Sequence, residues 1–253
     1  MSELRATLFG SPEILSDSHV VTGLRHKTIA LFAYLAVECR PIGRDTLATL
    51  LWPNSGQSRA RANLRSCIYQ ISEKLRPVPI TSRNDFVELN PDSCRIDVCE
   101  FRSLISQLKA EPDSAHKEAM LRAVEQLCRG CFMEGFTLPD CPDFDTWEFL
   151  NEELFRRQLT SVVDELTRFS TNQQDWAEAL RLGRRLIELD PLEERSHRLL
   201  MQLMAATGQR TAAIRQYEEC RNFLKTELDD EPEKETEDLL LAIKHGKFSS
   251  PSF

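Results

Sequence analysis

The chain has 253 residues, more than one ordinary domain holds, so two domains and a sizeable core are expected. Its formal charge of −8 excludes a uniformly basic nucleic-acid coat, yet 12 Lys+Arg face 9 Asp+Glu over residues 1–96, a net of +3, while 20 face 31 beyond, a net of −11. The first third is therefore the part suited to phosphates, and the acidic remainder suits proteins or solubility. Met1 to Gly10 contains no apolar run of signal-peptide type, and no stretch of about 18 apolar residues follows. A soluble, cytoplasmic protein without membrane contact is expected, its eight cysteines mostly free thiols in a reducing compartment.

Alternation in Leu4, Ala6 and Leu8, with short apolar pieces at Ile14 and Val20-Val21, predicts a small antiparallel sheet. Thr28 to Glu38 carries Ile29, Leu31, Phe32 and Leu35 at helical spacing, and Arg44 to Leu51 carries Leu47, Leu50 and Leu51 before Pro53 stops it. Trp52 is expected to cap the core between this helix and the next.

Ser58 to Arg76 then reads as one helix. Ala60, Leu64, Cys67, Ile68, Ile71 and Leu75 recur at three- and four-residue steps and form a single apolar stripe. Arg59, Arg61, Arg65, Lys74 and Arg76 oppose only Glu73, a net of +4. Arg59, Ala62, Arg65, Ser66 and Tyr69 project from the outer arc, where cations and hydrogen-bonding groups meet phosphates and base edges. A solvated amphipathic helix with a few arginines would show the same pattern, so its neighbours matter. Val78 to Thr81 and Phe86 to Leu89 flank Ser82-Arg83-Asn84-Asp85, the composition of a hairpin with a polar tip. Strands, three helices and a hairpin are the element order of a winged helix-turn-helix, assigned to residues 1–96.

From Asp97 to the end, residues 97–253, the pattern is helical, broken at Pro112-Asp113, Gly130 to Pro142, Gly208 and Asp229 to Pro232. A shift of 34 residues superposes Leu166 on Leu200, Ala179 on Ala213, Leu180 on Ile214 and Gly183 on Tyr217. That is the tetratricopeptide period, and small residues at Ala179 and Ala213 suit close helix pairing. The predicted fold is thus an α+β winged helix-turn-helix followed by an all-α tetratricopeptide-like domain.

Taken together these residues resemble the Streptomyces-antibiotic-regulatory-protein type of bacterial transcriptional activator. It joins an OmpR-like winged helix to a bacterial transcriptional activation domain. The resemblance spans about residues 4 to 245: Arg44-Asp45-Thr46-Leu47, Leu51-Trp52-Pro53, Ala60-Arg61-Ala62-Asn63-Leu64-Arg65, Val87 to Pro91, and Ile96-Asp97-Val98 with Phe101. In the second domain it rests on Cys128-Arg129-Gly130 with Phe132, Glu134-Gly135-Phe136, Trp147, Leu189 to Glu194 with His197, and Tyr217, Cys220, Glu227-Leu228 and Glu231-Pro232. Many relatives have a Gly-Tyr pair in the wing, where Arg83-Asn84-Asp85-Phe86 stands here. Large relatives add an ATPase module and some a phosphopeptide-binding domain; neither is expected here, since no G-x-x-x-x-G-K-[ST] string occurs.

Cys128, Cys131, Cys141 and His116 have the chemistry of a zinc site, but no second C-x-x-C pair exists and the segment fits the family's Arg-Gly-x-Phe loop better. The five histidines join no catalytic order, so no enzyme, metal or cofactor is expected; His197, Trp147 and Trp176 read as packing residues. Glu152, Glu153, Asp164 and Glu165 read as a solvated face. The expected function is sequence-specific activation of transcription. Arg65, Ser66 and Tyr69 are placed nearest the bases of double-stranded promoter DNA, and Arg59, Arg61, Lys74, Arg76 and Arg83 on phosphates. The helical domain is expected to contact RNA polymerase, form a homodimer, or both, and the resemblance implies direct-repeat operators. The rival readings are a protein-contact adaptor whose winged helix no longer binds DNA, and a metal- or ligand-gated sensor resting on the cysteines.

Overall fold

The alternation at the N-terminus becomes β1 (Leu4–Thr7), which buries Leu4 and Ala6 and pairs antiparallel with β2 (Glu13–Ser16), Ala6 opposite Ile14. The computed structural model describes residues 4–90, 93–110 and 114–246; Pro91 of the resemblance and the break at Pro112-Asp113 lie outside them. The chain groups into two compact units, Met1–Glu111 with Gln126–Arg156, and Pro112–Glu125 with Arg157–Phe253.

In the first unit, β3 (His19–Val20) extends the sheet beyond β2, and β7 (Arg95–Ile96) joins its other side parallel to β1, in the order β3-β2-β1-β7. The antiparallel expectation holds for the first three strands; β7 adds a parallel edge that two residues could not announce. α1 (His26–Glu38) is buried nearly all round, from Thr28 to Val37, because it touches the next two helices, the hairpin sheet and the helix that opens at Asp97. It stops at Cys39, whose left-handed backbone, φ 49°, returns its N–H to the Leu35 carbonyl. β4 (Ile42–Gly43) leads into α2 (Arg44–Leu51), and α3 (Gln57–Lys74) follows. Trp52 is half-buried, with the Lys27 ammonium 5.4 Å from its ring centre.

β5 (Ile80–Arg83) and β6 (Phe86–Leu89) form the predicted hairpin, with Arg83 opposite Phe86 across a two-residue turn. Asn84 supplies the positive φ, 52°, that such turns need. β4 pairs with β6, giving the order β4-β6-β5.

Asp97 opens α4 (Asp97–Leu108) and reaches back to Leu8 and Phe9, the two residues that follow β1. Its buried carboxylate accepts from the Leu8 N–H at 2.8 and 2.9 Å, the Phe9 N–H at 2.9 Å and the Val98 N–H at 2.7 Å. Burial pushes its pKa up, with these amides opposing. The irregular stretch ahead of α6 (Pro142–Asn172) zips onto the same end of β1: Gly10 N–H meets the Cys131 carbonyl and Met133 N–H the Leu8 carbonyl. Gly130 is required there, since a Cβ would lie 2.9 Å from the Gly10 Cα. Phe9, Phe101, Phe132, Phe155 and Trp147 stack at centroid distances of 5.2 to 5.9 Å, and the Trp147 Nε1–H donates to Glu38.

In the second unit, α5 (Ser114–Leu127) contributes its residues 114–125 and α6 its residues 157–172. They are followed by α7 (Trp176–Leu189), α8 (Glu194–Ala206), α9 (Arg210–Leu228) and α10 (Lys234–Lys244). Short connections make successive packed helices antiparallel. α7 and α9 start 34 residues apart, as do the last residues of α6 and α8. Ala179 and Ala213 are wholly buried, and a Cβ on Gly183 would press on Leu200 Cδ1 at 3.2 Å. The His197 ring is enclosed, Nε2 against the Pro191 carbonyl at 2.9 Å and Nδ1 against the Gln216 amide at 3.0 Å. Asp164 and Glu165 pair with Arg168 and Lys117, and Glu153, in the part of α6 that belongs to the first unit, pairs with Arg156.

Candidate nucleic-acid interface

α3 buries Ala60, Leu64, Cys67 and Ile71, half-buries Ile68, and ends with buried Leu75 just past its last turn. The opposite arc is open. Arg59, Ala62, Arg65, Ser66 and Tyr69 are exposed, and Tyr69 keeps 66% of its surface, too much for a packing residue. Among the described residues, the side chains of Arg59, Arg65 and Tyr69 have no ion-pair or hydrogen-bond partner in the chain, and neither has that of Arg83, which stands exposed at the end of β5. These are the groups a phosphate or base edge meets without displacing anything.

Other predicted cations are already engaged. The Arg61 guanidinium forks onto Asp45 of α2, Nε to Oδ1 at 2.5 Å and Nη2 to Oδ2 at 2.6 Å. The hydrogen-bonded Arg61 holds the Asp45 carboxyl below the usual carboxylate range. Lys74 Nζ donates to the Thr22 and Gly23 carbonyls at 2.9 and 3.0 Å, which uses two of its three donors and ties the end of α3 to the loop before α1. Arg76 donates to the Ser72 carbonyl. Ser66 accepts from Arg25 Nη1 at 3.3 Å, so Arg25, at the start of α1, stands on the same face. Forty-one residues separate the two, and no sequence signal linked them. Arg44, at the head of α2, is tied to the hairpin. Its Nη2 reaches Ser82 Oγ at 2.5 Å, its backbone N–H meets the Asp85 carbonyl, and its Nε is buried without a hydrogen-bond acceptor.

The helical region identifies the chain. The family model described as "Bacterial transcriptional activator domain" matches residues 96–244, more than half of its length. The chain belongs to that family. It is a transcriptional regulator of the type its sequence resembles. Over all of this chain and 67% of the other, the fold is similar to that of Mycobacterium tuberculosis EmbR, solved in complex with a low-affinity phosphopeptide, with a TM-score of 0.70 at 19% identity. No curated protein matches in sequence.

The activator-domain match starts at Ile96, one residue before the carboxylate that grips Leu8 and Phe9, so its first helix packs within the same unit as the basic helix. The Arg129-Gly130-Cys131-Phe132 loop is the segment closed against Gly10; Cys131 is exposed there, whereas Cys128 and Cys141 are buried, and Cys141 Sγ donates to the Leu51 carbonyl at 3.2 Å. Among the described residues no three His, Cys, Asp or Glu side chains converge as metal ligands, and no helix is long and apolar enough to cross a membrane.

Proposed function

We propose that this regulator is a DNA-binding activator whose residues 1–96 act as an OmpR-like winged helix-turn-helix and whose residues 97–253 act as a tetratricopeptide-like activation domain. The observation that carries the reading is the open arc of Arg59, Arg65 and Tyr69 on α3, with Arg83 exposed at the end of β5. In it, α3 enters a major groove of promoter DNA, with Arg65, Ser66 and Tyr69 on base edges. Arg59 and Arg83 bind phosphates directly, while Arg61, Lys74 and Arg76 reach phosphates with the donors their internal bonds leave over. Arg25 joins the phosphate set through its place beside Ser66. The 34-residue spacing of helix starts supports paired repeat helices, which offer surfaces for RNA polymerase or a second copy of the chain.

The adaptor reading draws on one observation, the internal engagement of Arg61, Lys74 and Arg76. Binding titrations decide between the two. On fragments recovered by genome-wide footprinting, Arg65→Ala is expected to weaken specific binding by about 1–3 kcal/mol with an unchanged melt. Absence of discrete footprints, or wild-type affinity in Arg65→Ala, overturns the placement of α3.

A further inference from the structure

The end of α1 and the first turn of α4 bring two thiols together. Cys39, exposed in its left-handed cap, places Sγ 2.8 Å from the Ala36 carbonyl, and Cys99 places its own Sγ 3.3 Å from that same oxygen. The two thiols are hydrogen-bond neighbours. Arg102, one turn further along α4, donates to the Val37 carbonyl and so holds a fixed cation beside them. Glu38 and the half-buried Cys94 are the other titratable neighbours. Cys131, the other exposed thiol among the described residues, is not among the groups that perturb either thiol.

We propose that Cys39 and Cys99 are a hydroperoxide-responsive modification site, Cys39 attacking and Cys99 resolving, which closes to a disulfide between the end of α1 and the start of α4. The Cys39 thiolate attacks one peroxide oxygen, the O–O bond breaks, and hydroxide leaves a sulfenic acid behind. The Cys99 sulfur then attacks that sulfur; the S–S bond forms and the sulfenic hydroxyl departs with the Cys99 proton as water. Two thiols lose two electrons and two protons, and the peroxide is reduced to two waters. The electrostatics match the roles. The Cys99 hydrogen bond, aided by Arg102, lowers the Cys39 thiol to about 6, whereas that same bond and burial push Cys99 up. In a reducing cell such a bond is transient, which suits a signal.

The test uses the full chain. Iodoacetamide at about pH 7 is expected to label Cys39 about tenfold or more faster than Cys131. Equimolar hydrogen peroxide, followed by alkylation under denaturing conditions and peptide mass mapping, is expected to give a Cys39–Cys99 linked peptide. Cys99→Ser should instead accumulate a dimedone adduct at Cys39. Equal labelling of Cys39 and Cys131, or peroxide-treated wild-type protein with no such linked peptide, overturns the proposal.

Discussion

Replacing Asp97 by Ala is expected to loosen the N-terminal sheet severely, because one side chain satisfies three buried amides. The N–H groups of Leu8, Phe9 and Val98 all end on its carboxylate within 2.9 Å. Each buried donor left unpaired costs about 1–3 kcal/mol, a gross loss of about 3–9 kcal/mol. Removing a desolvated carboxylate returns part of that, and breaking one partner of a buried charged contact costs about 3–5 kcal/mol in comparable sites. The net expectation is therefore about 3–5 kcal/mol, a large share of the roughly 5–15 kcal/mol that holds a domain together. Asp97→Asn keeps one acceptor and should fall between. Urea titrations followed by circular dichroism read the shift in midpoint at constant slope. Since burial raises the Asp97 pKa, the folded protein holds that proton more firmly between the ordinary carboxylate pKa and the raised one. Wild-type stability then falls, relative to Asp97→Asn, as pH rises through that window. An Ala variant as stable as wild type refutes the clamp. A wild-type advantage that grows with pH refutes the dominance of burial over the amide bonds.

Asp45→Ala should free the Arg61 guanidinium, raise affinity for DNA of any sequence, and steepen the dependence of log K on log salt by about one unit; fluorescence anisotropy across salt concentrations checks it. Ala179→Leu and Ala213→Leu should each cost roughly 1–3 kcal/mol by overpacking, while exposed Arg215→Leu changes the thermal melt little. His197, buried and held by Pro191 and Gln216, has a lowered pKa, so the unfolded chain binds its proton first as pH falls below about 6.5. Between about pH 7 and pH 5 the wild-type melt should therefore drop more steeply than that of His197→Asn.

What the sequence revealed and what it hid follow from range. The α3 stripe was legible because its spacing is local, and the structure buries Ala60, Leu64, Cys67, Ile71 and Leu75. The hairpin was legible for the same reason, with Ser82-Arg83 strand rather than tip. The two-residue strands β4 and β7 carry no periodicity, so nothing announced them. Charge and element type change at Asp97, which local pattern shows, whereas the bond from the Leu8 N–H to its carboxylate, 89 residues away, is encoded in no single segment. At the site, exposure of Arg59, Arg65 and Tyr69 followed from helix phase. The Arg61–Asp45 and Arg25–Ser66 pairs depend on how helices cross, which no single segment encodes.

The hairpin tip is fastened twice to the head of α2, through the Arg44 amide on Asp85 and the Arg44 guanidinium on Ser82, while β6 is paired to β4 immediately before that helix. α2 in turn packs on α3 and is bolted to it through Asp45 and Arg61. Basic helix and hairpin consequently move as one piece, a caliper of fixed opening rather than a hand with a flexible thumb. In the proposed DNA complex such a caliper would gauge the distance between a groove and its flanking phosphates, so DNA that is over- or underwound at the site is expected to lose affinity even when every base is correct.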